Sequence, residues 1–560
     1  MRAASGTAKA ERTAGGPGLV GKERPQAQTV VRGALWNYAA AVVACALQLG
    51  YTSYTGRTVS AAAFGAFASA LSLTQLLGYF ANAGLATTVL RSAELTRGLL
   101  TATVRLGLFS GLVCCAVLET TAPLWARLWG AAETTGLLRV LALQFLFLPL
   151  GAVSVAGLRR LLAHRSAVVV ETGAHAAGLL TGTVLLSAGW NPTGLAATSV
   201  TTQFTIAALA STLLVRRLPH ALGPAAHLPV RYRELAKAAG FLAGHQLAQF
   251  ATNTTPLWAA GVLLGPVAAG YYSRATLFTG LLLTMLAAGL TRVTTPALTA
   301  VRAQPLQHQG APEKSRATGR ETPAFARAGT DVLLACSALS FLPFAFLAGA
   351  GPDALQLLLG PGWSEAARLV PLLCVLSAVA VLYAVGLSVD TVCASPRRMA
   401  AAQAAAIAAN LAGIAVAAGH GLVPLALSAL GGAVCGLAVQ TWAWHRGGVL
   451  QTRRLLTGYA VHAALGVPAY AAGVALCQIV AGRSPVRAAV VLLAVALVVA
   501  ACHKMPTRLP LYQVAAARGL LPLRLRWPAV AGSRHRRGAG AAAPVQAGDT
   551  GSRCRPEAGS

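Results

Sequence analysis

Charge is scarce in this sequence. Only 11% of its 560 residues are charged, against roughly 25% in soluble proteins, and 56% are hydrophobic. Such a chain cannot clothe a soluble surface in polar groups, which excludes a soluble enzyme. Acids are the scarcest charge, with 15 Asp and Glu against 45 Lys and Arg. A membrane-bound glycosyltransferase or polymerase needs acidic or His-rich loops outside the bilayer. The loops here offer isolated acids such as Glu133, Asp353 and Glu365. None of the ten cysteines forms a C-x-x-C pair, so neither a zinc site nor a disulfide framework is indicated. Those inside apolar stretches, such as Cys114, Cys336 and Cys374, read as small apolar fillers. The run Gly16 to Lys22 has the spacing of a P-loop start. Glu23 stands where Ser or Thr is required and no strand precedes it, so no nucleotide site is expected. No cofactor or metal is expected.

Long apolar runs, by contrast, are abundant. A spanning helix needs ~20 mostly apolar residues, and fourteen segments qualify: approximately 33–54, 61–90, 98–120, 135–157, 167–188, 193–215, 235–261, 267–290, 328–349, 365–388, 399–419, 421–443, 456–481 and 485–503. The second is overlong and is expected to be either tilted or broken near Gly84. With 58 Gly and abundant Ala, the composition suits close helix packing in lipid. The expected organisation is a basic disordered tail (1–31), a first six-helix bundle (32–217), a second (218–443) with a basic cytoplasmic loop at 302–327, two additional helices (444–503) and a second basic disordered tail (504–560). The first span is read as an uncleaved helix.

Alternating the loops between two sides places six of the 45 Lys and Arg on one side (Arg57, Arg127, Arg139, Arg368, Arg483 and Arg487) and nearly all the rest on the other. By the positive-inside rule both termini face the cytoplasm. The surplus of +30 is thereby mostly topology signal plus attraction to anionic membrane lipid, and no nucleic-acid partner is expected. A weak repeat runs through the chain: Ala63, Gly65 and Ala70 recur as Ala268, Gly270 and Ala275. Duplicated halves are how many transporters build a central cavity.

Several segments carry a family resemblance: Arg57 to Gly65 (RTVSAAAFG), Asn82 to Leu85 (NAGL), Leu264 to Ser273 (LGPVAAGYYS), Thr295 to Leu298 (TPAL) and Gly360 to Trp363 (GPGW) followed by Ala366 and Ala367. In order and spacing the chain resembles the polysaccharide (O-antigen type) flippases of the MOP exporter superfamily over roughly residues 31–500. Two departures are Ser60 to Ala63 in place of the usual acidic-proline element, and the long loop at 302–327. The resemblance implies two six-helix bundles around a central cavity plus two further helices. It implies movement of lipid-linked oligosaccharide, usually on a polyprenyl diphosphate, between leaflets without ATP hydrolysis by the chain itself. Membrane lipids and polysaccharide assembly proteins are the expected partners. The alternatives within the superfamily are a cation-coupled drug exporter and a peptidoglycan-precursor flippase.

Carrying a sugar phosphate through ~30 Å of hydrocarbon requires a wet and preferably cationic cavity. Arg274, about seven residues into the eighth span, is the sharpest candidate, because an intramembrane Arg normally faces an interior cavity and its planar fork suits phosphate. Arg57 and Arg105 are candidates for the outer and inner ends of the same path. Glu171 and His175, at i and i+4, share a helix face and are candidates for proton coupling. Gln246, Asn253 and Asn410 read as interhelical hydrogen-bond partners, and Asp390 as an interfacial ion pair with Arg397 or Arg398.

Overall fold

The computed structural model describes residues 43–479, apart from 45, 83–84, 92–95, 162, 222–231 and 304–320. The fourteenth expected span, both tails and most of the loop at 302–327 lie outside the described residues. Within them the chain forms α1 (46–58), α2 (Ala61–Asn82), α3 (Leu85–Arg91), α4 (Arg97–Leu128), α5 (Thr134–Ala142), a 3-10 turn (Leu143–Leu146), α6 (Leu148–Arg160), α7 (His164–Ser187) and α8 (Thr193–Ala221). The second part of the chain supplies α9 (Tyr232–Leu264), α10 (Pro266–Ala303), α11 (Pro323–Leu359), a 3-10 turn (Pro361–Trp363), α12 (Ser364–Val392), α13 (Pro396–Ala417), α14 (Leu422–Gly447) and α15 (Thr452–Ile479). Lipid offers backbone groups no hydrogen bonds, so helices satisfy them internally. Eleven described segments are long and apolar enough to cross a membrane, which makes this a multi-pass membrane protein.

Three expected spans take a different form. The second is two helices, α2 ending at Asn82 and α3 starting at Leu85; Gly84 lies outside the described residues. The fourth, expected as one run over 135–157, is interrupted: α5 passes into the 3-10 turn, and α6 restarts with Pro149 in its first turn. Proline there has no N–H to offer the preceding turn, and it disfavours helical backbone in the residue before it. The eighth continues well past residue 290, to Ala303. An apolar window detects only the part of a helix that lies in hydrocarbon, and α10, like α11 with its 37 residues, projects beyond it.

Packing follows the chain order. α7 and α8 form one hairpin, α13 and α14 another, and α15 lies along α11. The largest apolar cluster is centred on α11 and α12, with Phe325, Phe344, Val370, Leu373 and Val385 fully or almost fully buried. It extends across to the first part of the chain through Phe64, which is wholly buried. The two parts meet most closely where α2 crosses α10. A Cβ at Gly65 would overlap the carbonyl oxygen of Pro266, and one at Gly270 would overlap that of Ala61. The two repeat-related glycines thus sit reciprocally in one crossing, each giving room to the other helix's backbone.

Candidate functional site

The main cavity is bounded by α1, α2, α3, the interrupted fourth span, α7, α8, α9 and α10. Its volume of 1240 Å³ exceeds the ~300–1,000 Å³ usual for small-molecule pockets. Its lining begins just below the Gly65/Gly270 crossing and runs to Asn82 and Ala86 at the far end of α2. Side-chain amides come from Gln48, Gln75, Asn82, Gln144, Gln203 and Asn253, and hydroxyls from α2, α8 and α10. Among the described lining residues there is no carboxylate, and Arg274 is the one group with a fixed charge.

Arg274 is 9% exposed. Its guanidinium carbon lies 3.5 Å from the centroid of the Phe64 ring, a cation–π contact worth up to about 2 kcal/mol when desolvated. Its Nε is buried without a hydrogen-bond partner, as are Asn82 Oδ1 and Gln144 Nε2, two further lining groups. Buried polar atoms are ordinarily satisfied. All three belong to residues that line the cavity, though the atoms themselves are shielded from it. The broken fourth span is what brings Gln144 and Leu148 to the lining, since irregular backbone within a membrane is tolerated where it borders a cavity.

Beyond Arg274 the two parts of the chain are joined by direct contacts. Trp363 packs edge-on against Phe64 (5.6 Å) and Tyr271 (5.8 Å), and its Nε1 donates to Gly56 O at 2.8 Å. Ser53 Oγ donates to Leu358 O at 2.8 Å, and Arg57 Nη2 to Leu357 O at 3.0 Å. Along the α2/α9 seam, Trp258 donates from Nε1 to Ser72 Oγ (2.5 Å) and joins Trp125, Trp129 and Phe250 in an aromatic cluster.

The expected site residues separate. Arg274 and His175 line the cavity. Arg57 does not: it is exposed and ties the last turn of α1 to the end of α11. Arg105 is exposed on α4, also away from the lining. Glu171 is held by Arg159, whose Nη2 reaches its two carboxylate oxygens at 2.8 and 2.7 Å, so it is not a cavity group beside His175. Asn253 lines the cavity rather than bridging helices, whereas Asn410 Nδ2 donates to Thr252 O at 3.2 Å. The Gln246 side chain lies outside the described ones.

Several polar groups of the second part of the chain bond to one another, although Arg398 Nε, Gln440 Oε1 and Tyr459 OH are buried without a hydrogen-bond partner. Gln403 donates to Ala248 O (3.1 Å) and Thr252 Oγ1 (2.5 Å) and accepts from Tyr383 (3.1 Å), tying α13 to α9 and α12. Asp390, expected at the interface, is fully buried. It accepts from Gln440 Nε2 and Trp444 Nε1, each at 2.9 Å, and pairs with Arg398 at 3.5 Å. Burial demands this, because a buried carboxylate left alone is far costlier than one with three partners. Asp390→Ala strands those partners and is expected to remove about 3 kcal/mol of stability, as for other broken buried pairs. Thermal unfolding in detergent reads this as a lower midpoint; an unchanged midpoint contradicts it.

Comparison with known proteins agrees with this architecture. Residues 56–318 match the profile of a family described as polysaccharide biosynthesis protein. Among solved structures the chain is similar to the lipid II flippase MurJ in its inward closed conformation, with TM-score 0.55 and 11% identity over 79% of this chain and 98% of that one. It is also similar to an inward-facing multidrug resistance MATE family transporter of the MOP superfamily, with TM-score 0.52 and 15% identity over 73% of this chain and 99% of that one. No curated protein matches the sequence. Residues 56–318 thus resemble the polysaccharide biosynthesis proteins in sequence, and the fold is one shared with the lipid II flippase MurJ and a MATE family transporter.

Proposed function

We propose that the protein flips a lipid-linked oligosaccharide across the cytoplasmic membrane for cell-surface polysaccharide synthesis. The observation that carries this reading is the cavity lining: amides and hydroxyls suited to sugar hydroxyls, with Arg274 at one end for a phosphate. Phosphate bound to Arg274 gains a charge-assisted hydrogen bond, and the glycan occupies the amide-lined remainder. The polyprenyl tail stays in lipid. The family resemblance implies a polyprenyl diphosphate as the carrier.

In this reading both termini are cytoplasmic and the Trp363 end faces outward. The cavity in its present form serves the inner leaflet. Release outside requires parting the contacts of Trp363, Ser53 and Arg57 by rocking the first bundle (32–217) against the second (218–443), the alternating access common to duplicated transporters. His175, the titratable base on the lining, is the candidate for coupling to a proton gradient. Glu171, already neutralised by Arg159, is a weaker one. An exporter of cationic drugs would want a carboxylate facing its cargo, and the described lining has none.

Binding tests this reading first. Full-length protein in detergent is expected to be stabilised by a short-chain polyprenyl-linked neutral oligosaccharide, by about 2.7 kcal/mol at a hundredfold excess over Kd. Stabilisation by a lipophilic cation such as tetraphenylphosphonium, without any by the glycolipid, turns the conclusion to drug export.

A further inference from the structure

Phe64 and Arg274 come from different parts of the chain, and one helix crossing brings them together. Phe64 precedes Gly65 on α2, and Arg274 follows Gly270 by four residues on α10. Each thus lies within a turn of the glycine at which its helix meets the other. Residues four apart share a helix face, so the face of α10 that sets Gly270 against Ala61 also carries Arg274 to α2. The crossing has no slack, because backbone stands against backbone on both sides. The phenylalanine itself is wholly buried, and Trp363 meets it edge-on with ring centroids 5.6 Å apart.

Arg274 Cζ lies over the Phe64 ring, 3.5 Å from its centroid. That is already the separation of ordinary van der Waals contact, so a guanidinium nitrogen pointed at the ring would clash and the group has to lie flat. One face is then taken by the ring, and the in-plane N–H groups, which suit phosphate, are left for an anion. An arginine side chain has many rotamers, and an anion that binds a loose one bears the cost of ordering it. Here the ring orders it beforehand. The ring also keeps water from one face, which strengthens pairing with a charge. Phe64 is not itself among the residues that line the cavity, so its effect on a ligand passes through Arg274.

We propose that Phe64 is a positioning residue for phosphate: it holds the Arg274 guanidinium flat, ordered and dry on one face, ready for the anion. The inference rests on the flippase reading and deepens it. The contact runs from the first part of the chain to the second, so parting the two to release substrate withdraws the ring and loosens the grip on phosphate.

Binding to full-length protein in detergent tests this with two lipids. One has a neutral oligosaccharide on a short polyprenyl diphosphate, and the other has the same glycan joined to the same chain without phosphate. Phe64→Leu is expected to weaken the diphosphate lipid about tenfold, equivalent to about 1.4 kcal/mol, and to leave the phosphate-free lipid nearly unchanged. Phe64→Tyr keeps the ring face and is expected to bind both lipids as the wild type does. In an Arg274→Gln background, Phe64→Leu is expected to have no further effect, the non-additivity of two residues that act as one unit. Equal losses for the two lipids, additive effects of the two substitutions, or no loss in Phe64→Leu each overturn the inference and leave the flippase reading intact. A wild type that binds the two lipids equally well has no phosphate site at Arg274, and the reading of the cavity fails together with the inference. Phe64→Met, also without a ring, replaces the leucine variant if that one does not fold.

Discussion

Arg274→Gln is expected to slow glycolipid transport at least tenfold while leaving the protein folded. A hydrogen bond to a charged group is worth about 1.5–3 kcal/mol, and each 1.4 kcal/mol is a factor of ten, so loss of the guanidinium–phosphate contact corresponds to roughly ten- to hundredfold. Glutamine retains a polar head that water in the cavity can satisfy. What it gives up is the charge and the stacking on Phe64. Arg274→Lys keeps the charge without the planar fork and is expected to fall between. Transport rate and thermal midpoint are read on the same preparations. A large fall in rate with a nearly constant midpoint assigns Arg274 to substrate. A collapsed midpoint with normal transport by the surviving protein assigns it to the Phe64 contact alone.

The second large effect is expected at the crossing of α2 and α10. Gly270→Val places a side chain against the Ala61 carbonyl, and Gly65→Val places one against that of Pro266. The obstacle in each case is backbone, which cannot swing aside as a flexible side chain can. Overpacking of a close-packed interior costs about 1–3 kcal/mol, and here it also forces apart the elements that meet at Trp363. Both variants are expected to lower the thermal midpoint and to abolish transport. Gly289→Ala, on the same helix but with open space around its Cβ position, is the control and is expected to be neutral or mildly stabilising. If the valine variants behave like Gly289→Ala, the helices do not cross as described.

How much of this was legible in the sequence differs by feature. The apolar runs fixed the helices because hydrocarbon selects length and composition together. Arg274 stood out for the same reason, as a charge inside such a run. The repeat linking Gly65 and Gly270 was visible but had no meaning until the two were seen facing each other. The faces of the helices were not legible. A helix apolar all round has little amphipathic signal, so nothing distinguished Arg105, exposed on α4, from a residue turned toward the path. Gln144 reaches the cavity only because the fourth span breaks before Pro149, a break that the proline signalled and the continuous apolar run concealed. Phe64 and Trp258 read as ordinary apolar residues. Their roles, covering Arg274 and bridging to Ser72, depend on partners 210 and 186 residues away in sequence.

In the proposed function this chain moves glycolipid between leaflets through the cavity at Arg274. The most direct test is the fraction of a fluorescent polyprenyl-linked oligosaccharide that a membrane-impermeant glycan-modifying enzyme can reach in sealed proteoliposomes. Without transport, only the outer leaflet's share, about half in large vesicles, is accessible. That fraction is expected to approach completeness with the wild-type protein and to remain near half, over the same interval, with Arg274→Gln. A wild-type fraction that stays at the protein-free value, with a phosphate or a diphosphate linkage and with a proton gradient of either sign, contradicts the proposed function.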